Sequence, residues 1–113
     1  MTDKPYSTSR AVSDLIFVSG QLPIDPEIGR IPDDIAEQTR LVLNNLKTAV
    51  EAAGLTQDNI VKTTVFMTDF DEFPVMNEVY TEFFNTPYPA RSAMEVNRLA
   101  AGARVEIEAI AGR

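Results

Sequence analysis

Pro89-Ala90-Arg91-Ser92-Ala93-Met94-Glu95-Val96 and, a short turn later, Val105-Glu106-Ile107-Glu108-Ala109-Ile110-Ala111 alternate like neighbouring strands and set charges among apolar residues. Successive strand side chains point to opposite faces, so Ser92, Met94 and Val96 share one side of the first run, and Arg91, Ala93 and Glu95 the other. In the second run Val105, Ile107, Ala109 and Ala111 make an apolar face, opposed by Arg104, Glu106, Glu108 and Ile110. Aligning the apolar sides predicts Met94 and Val96 beside Val105 and Ile107 against the core, with Arg91 and Glu106 together on the other sheet face. A guanidinium beside a carboxylate suits an anionic substrate, the fork gripping the anion while the acid handles a proton or a water. The alternative is a cross-strand ion pair on a solvated face.

The chain that carries these runs has 113 residues, 44% of them hydrophobic, which fits a single domain over 1–113 with a real core. At this size folding buries roughly 60–70% of the unfolded chain's surface, so further burial through oligomerisation is favourable. Ten basic against seventeen acidic residues give a net charge of -7, which opposes binding to phosphate backbones and anionic lipid; neither nucleic acid nor membrane is expected as a partner. A small anionic metabolite stays compatible, because one well-placed arginine outweighs a diffuse field of surface acids. Cys and His are both absent, which removes thiol nucleophiles, imidazole bases and zinc sites of the usual ligand set, and no metal is expected. Chemistry must use Arg, Glu, Asp, Tyr, Ser, backbone groups and water. The polar start Met1-Thr2-Asp3-Lys4-Pro5-Tyr6 lacks the apolar core of a signal peptide, and Leu15-Ile16-Phe17-Val18 is too short to span a membrane, so a cytoplasmic location is the expectation.

Arg10 to Gln21 reads as two short strands with a turn at Ser13-Asp14. Gly20 gives backbone freedom just beyond an apolar strand, so Ser19 and Gln21 either mark a plain strand end or sit where loops carry ligand contacts. Pro23 to Pro32, interrupted by prolines and a glycine, is a stiff loop. Asp34 opens the strongest helix, with Glu37 as its capping-box-like partner. Ile35, Thr39, Val42, Leu46, Ala49, Val50 and Ala53 recur at helical spacing, and Gly54 stops the helix with Leu55 packing back on the last turn. Asn59 to Met67 is a β-branched strand, and strand, helix, strand implies a right-handed crossover.

Asp69 to Glu72 reads as a helix start in preference to a calcium or magnesium site, since the glycine and later glutamate of a calcium loop are missing. Pro74 is tolerated in the first turn of the helix that follows. Phe73, Met76, Tyr80, Phe83 and Phe84 form an apolar stripe that reads as core, and Asn77 lies next to it, its amide fastening a loop or a ligand. The resulting order predicts an α+β fold: a two-layer mixed β-sheet with two helices on one face. The uncovered face is explained by packing against another copy, with ligand clefts where subunits meet.

Five of these segments, Ser19-Gly20-Gln21-Leu22-Pro23, Asn59 to Phe66, Asn77 through Tyr80 to Phe84, Pro89-Ala90-Arg91-Ser92 and Val105 to Ala111, resemble the RidA/YjgF family. They occur in the family's order over nearly the whole chain, and such motifs in register are specific where one alone is weak. The resemblance implies a chorismate-mutase-like (bacillus-type) homotrimer. Its clefts would hydrolyse reactive enamines and imines, shed by pyridoxal-phosphate dehydratases, to 2-oxo acids and ammonia: a 2-iminobutanoate/2-iminopropanoate-type deaminase that needs no cofactor.

By position, Arg91 resembles the family arginine that grips the substrate carboxylate, and Glu106 the acid that positions or activates water. Ser19 and Asn77 match pocket residues. Tyr6 resembles the tyrosine of a Gly-Pro-Tyr-Ser-Gln run, although Lys4 and Thr8 replace its glycine and glutamine. Ala93 stands where many members carry cysteine, which excludes thiol chemistry, yet its backbone N–H can still bond a carboxylate oxygen. Leu99-Ala100-Ala101-Gly102 lacks the proline that usually follows the leucine, a change at the cleft rim. Three functions stay open: the deaminase, a non-catalytic trimeric carboxylate-binding or chaperone-like module, and an endoribonuclease, against which the net charge of -7 and the missing histidines argue.

Overall fold

The computed structural model describes residues 4–113. A hairpin of β1 (Ser9–Val12) and β2 (Leu15–Gln21) comes first, turned at Ser13, whose φ of 53° is the left-handed conformation a tight connection requires. Helix α1 (Ile35–Ala52), β3 (Ile60–Met67), α2 (Phe73–Phe83), β4 (Ala90–Glu95) and β5 (Val105–Gly112) follow. The sheet order is β1, β2, β5, β3, β4. Strand β5 is central and antiparallel to both β2 and β3, and β4 joins β3 in parallel at the edge.

The predicted helix ends are where the structure puts them. Asp34 accepts the Glu37 N–H at 3.1 Å. At the other end Gly54 has φ 84°, and the Leu55 N–H donates to the Val50 carbonyl at 3.0 Å, which closes the last turn. Asp69 caps the short 3-10 turn Phe70–Glu72 by accepting the Asp71 N–H at 2.9 Å, and Pro74 sits in the first turn of α2.

Both helices cover one face. Val42, Leu43, Leu46 and Val50 of α1 and Met76, Val79 and Tyr80 of α2 bury against Val65, Met67, Val105 and Ile107. Each such side chain contributes about 1.5–3 kcal/mol by leaving water. No helix among the described residues is long and apolar enough to cross a membrane.

The expected alignment of β4 is overturned by its register. Val65 pairs with both Ile107 and Ala93, Thr63 with Arg91, and Phe66 with both Glu106 and Met94. Arg91, Ala93 and Glu95 therefore take the helix side, and Met94, 42% exposed, stands on the open face with Glu106. Arg91 and Glu106 leave the sheet on opposite faces. The cause is the edge position: Ala93 alone of β4 packs against the apolar core, so the larger apolar side chains of this strand do not report which side faces it.

Candidate active site

Arg91 is seated by α2. Its guanidinium carbon lies 4.8 Å from the Tyr80 ring centroid and 5.4 Å from that of Phe73, and Nη1 donates to Asn77 Oδ1 at 2.7 Å. Phe73, Asn77 and Tyr80 are spaced i, i+4, i+7, so one stripe of helix supplies both rings and the amide. Each ring contributes about 0.5–1 kcal/mol of cation–π attraction, and together the contacts fix the plane of the fork. Arg91 forms no ion pair among the described residues, so its charge is available to an anion. Burial holds the Tyr80 phenol above its ordinary pKa, partly offset by the 2.6 Å hydrogen bond with Thr63 Oγ1 and by the Arg91 charge, so the ring stays neutral beneath the cation. A cleft of about 410 Å³ opens here, lined by Asn77, Tyr80, Thr81, Tyr88, Pro89 and Arg91.

Ala93 lies on the same side, its methyl against the core. The Val96 N–H donates to the Met67 carbonyl at 2.7 Å, so strand alternation turns the N–H groups of Ser92 and Met94 inward to β3. Those of Arg91 and Ala93 point out from the unpaired edge, where a carboxylate oxygen can accept them.

Glu106 belongs to a second cluster. Strand β2 bulges between Val18, paired with Ala109, and Gln21, paired with Ile107. At the bulge a Cβ on Gly20 would strike Glu106 Oε2 and lie 3.0 Å from its Cδ, so only glycine lets the carboxylate rest on this backbone. Burial, and then the charge of Glu108, raise the pKa of Glu106, which makes the carboxyl hold a proton more readily than an ordinary glutamate. Ser19, beside Gly20, donates from Oγ to the Ser7 carbonyl at 2.6 Å, and its N–H donates to the Thr8 carbonyl at 2.9 Å. These bonds fasten the segment that carries Tyr6, which is exposed and lines a cleft of about 500 Å³ together with Ser19, Lys62, Thr64 and Glu108.

One chain thus carries two separate clusters, each a candidate half-site. Arg91, Asn77 and Ala93 gather at the β4 edge; at the β2 bulge Glu106 rests on Gly20, and Tyr6 and Ser19 line the clefts beside it. In the sequence, Phe73 and Tyr80 read as core alone. Their spacing from Asn77 is visible, but their role under Arg91 follows only from the face on which that strand packs. The dependence of Glu106 on Gly20 is hidden as well, since a bulge register leaves no mark in composition.

The sequence matches the family model described as Endoribonuclease L-PSP over residues 1–112. A RutC family protein from Pyrococcus abyssi is 49% identical over 108 residues, spanning 95% of this chain and 85% of the relative. The 2-iminobutanoate/2-iminopropanoate deaminase of Escherichia coli K12 is 46% identical over 112 residues, spanning 96% and 88%. Among solved structures, E. coli TdcF with bound serine superposes with a TM-score of 0.95 at 44% identity, covering 99% of this chain and 91% of that one. The YjgF gene product of E. coli gives 0.94 at 46% identity, covering 96% and 88%. This chain belongs to the RidA/YjgF family.

Proposed function

We propose that the protein is an enamine/imine deaminase that converts 2-imino acids of the 2-iminobutanoate/2-iminopropanoate type to 2-oxo acids and ammonia, without a cofactor, in clefts between the subunits of a homotrimer. The observation that carries this reading is the seating of Arg91, a charged fork held by Asn77 and two rings and left without an acidic partner among the described residues. Because Glu106 faces away from it, the two meet only when the open sheet face of one copy receives the β4 edge of another. That face exposes Val12, Leu15, Phe17 and Met94, apolar area that a neighbouring copy would bury.

In such a cleft Arg91 and the Ala93 N–H take the substrate carboxylate, which places the C=N carbon against the neighbour's Glu106. Glu106 orients a water and accepts its proton as oxygen bonds to that carbon. The substrate reacts as the protonated imine, so Glu106 returns its proton to the NH2 group of the carbinolamine, ammonia leaves with the C–N electron pair as the hydroxyl oxygen forms the C=O bond, and the hydroxyl proton passes to Glu106 and on to water, leaving the 2-oxo acid. A carboxyl group with a raised proton affinity suits these transfers. Ser19 and Tyr6 supply polar groups at the cleft wall.

A carboxylate-binding module would need the Arg91 seat alone, and ammonia release separates the two. The endoribonuclease description of the family model finds little support in a chain of net charge -7 with no histidine. The test couples the protein to an amino-acid dehydratase with semicarbazide trapping free imine. Less semicarbazone and faster formation of 2-oxo acid and ammonia are expected; product formation equal to the protein-free control would overturn the reading.

A further inference from the structure

The ion pair between Arg104 and Glu72 lies outside both half-sites, yet its backbone neighbours lead into each. Arg104 Nε reaches Glu72 Oε1 at 2.9 Å and Nη2 reaches Oε2 at 3.2 Å, a two-pronged contact. The same Nη2 donates to the Asp33 carbonyl at 2.6 Å. The Arg104 N–H donates at 3.0 Å to Oε1 of Gln38, a buried amide whose Nε2 donates at 2.8 Å to the Pro32 carbonyl. The Arg104 carbonyl accepts the Thr68 N–H at 3.2 Å. Arg104 is therefore fixed at backbone and side chain together, two residues before Glu106.

Glu72 ends the Phe70–Glu72 turn, and the next residue is Phe73, one of the two rings under Arg91. The turn is also tied to β4, because the Phe70 N–H donates to Glu95 Oε2 at 3.0 Å, and Glu95 shares with Arg91 the helix side of that strand. Phe70 and Phe73 pack with ring centroids 5.4 Å apart. One short turn thus has a polar tie to the strand of Arg91, another to the residue that leads into the strand of Glu106, and a covalent link to the helix that seats the guanidinium.

We infer that the Phe70–Glu72 turn, locked by the Glu72–Arg104 pair, is a positioning brace that holds the seat of Arg91 in register with the strand carrying Glu106. An isolated exposed ion pair contributes little, but a forked arginine with two backbone partners and a buried amide behind it determines a position. Glu72 and Arg104 act here as positioning residues that touch no substrate. The kinetic consequence rests on the deaminase reading; the effect on Arg91 itself does not.

The test uses Glu72→Gln, Arg104→Gln and the double variant, with Arg104→Lys as a milder change that keeps charge and loses the fork. The first readout is the Arg91 Nε–H resonance, identified by its loss in Arg91→Lys and displaced in the wild type by the currents of the Tyr80 and Phe73 rings. It is expected to move toward the position of an exposed arginine in each Gln variant and part of the way in Arg104→Lys. The second is kinetic: KM should rise about fivefold or more with kcat changed far less, and the double variant should be no worse than the worse single one, because the two act as a unit. An unmoved Arg91 resonance in folded variants overturns the brace, whatever their melting temperature does. A wild type that releases no ammonia overturns the deaminase reading, and the resonance still decides the brace.

Discussion

Gly20 and Glu106 occupy adjoining space so closely that a methyl group on the first would overlap the carboxylate of the second. The overlap falls on the end of a side chain, so Gly20→Ala should fold and displace the carboxylate. A shift of about 1 Å costs on the order of 10²-fold in rate, and that is the expected fall in kcat, with the far-ultraviolet circular dichroism unchanged. Wild-type kcat in a folded Gly20→Ala protein would show that residue 20 does not set the position of Glu106.

Asn77 bears on affinity instead. Its hydrogen bond to Arg91 is charge-assisted and contributes about 1.5–3 kcal/mol, so Asn77→Ala should weaken binding of a 2-oxo acid by roughly 10- to 100-fold. Asn77→Asp should be worse, although it strengthens the seat, because the new carboxylate neutralises the fork before a ligand arrives. Titration calorimetry on both variants, with Glu106→Gln as a variant expected to retain binding, measures this. Ligand binding by Asn77→Asp as tight as by the wild type would remove Arg91 as the anchor.

The raised pKa of Glu106 sets the acid limb of the pH profile. In the proposed role of general base the group works ionised, so kcat/KM should fall as pH drops through an inflection above the ordinary glutamate value of 4.5. Glu108 opposes a second negative charge, so Glu108→Gln should move the inflection down, though burial, the larger cause, keeps it above 4.5. Glu106→Gln should abolish the limb. Folding carries a linked sign: a carboxyl whose folded pKa exceeds its unfolded one contributes stability at low pH that is lost as pH rises through the folded value. An inflection at or below 4.5 would contradict this environment for Glu106.

The proposed sharing of clefts between subunits has a decisive test in complementation. Arg91→Ala and Glu106→Gln proteins are each expected to be nearly inactive and, by light scattering during gel filtration, trimeric. Refolded together in equal amounts, three-quarters of cyclic trimers are mixed and each has one intact cleft, so roughly a quarter of wild-type activity should return. No recovery in mixed trimers would place both residues of the working site in one chain.

Much of this architecture is legible in the sequence, because it rests on local signals. Asp34, Gly54 and Pro74 announce the helix ends by backbone chemistry that tertiary packing leaves alone. The clean alternation of Val105, Ile107, Ala109 and Ala111 belongs to a central strand whose helix side is fully buried, so its pattern reports the core correctly. Strand β4 misled for the opposite reason. At an edge, Met94 can stand in the open and Arg91 can lie over aromatic rings on the helix side, and one residue of register decides which. The faces of Arg91 and Glu106 follow from pairing partners 28 and 40 residues distant, Thr63 for the one and Phe66 for the other, which no short window of sequence contains.

The central place of β5 has a consequence for the birth of the protein. Residues 105–112 are the last of the sheet to leave the ribosome, yet they alone join the β1–β2 hairpin to the β3–β4 pair. Until they emerge, the nascent chain holds two separate half-sheets, and the edges of β2 and β3 that will receive β5 are bare. Folding of the sheet is thereby deferred until β5 has emerged, and its longest-range pairing, Leu15 with Gly112, is among the contacts that must wait. A ribosome that stalls or shifts frame before Val105 releases no smaller working domain. It releases two open β edges, the kind of surface on which chaperones and aggregates compete.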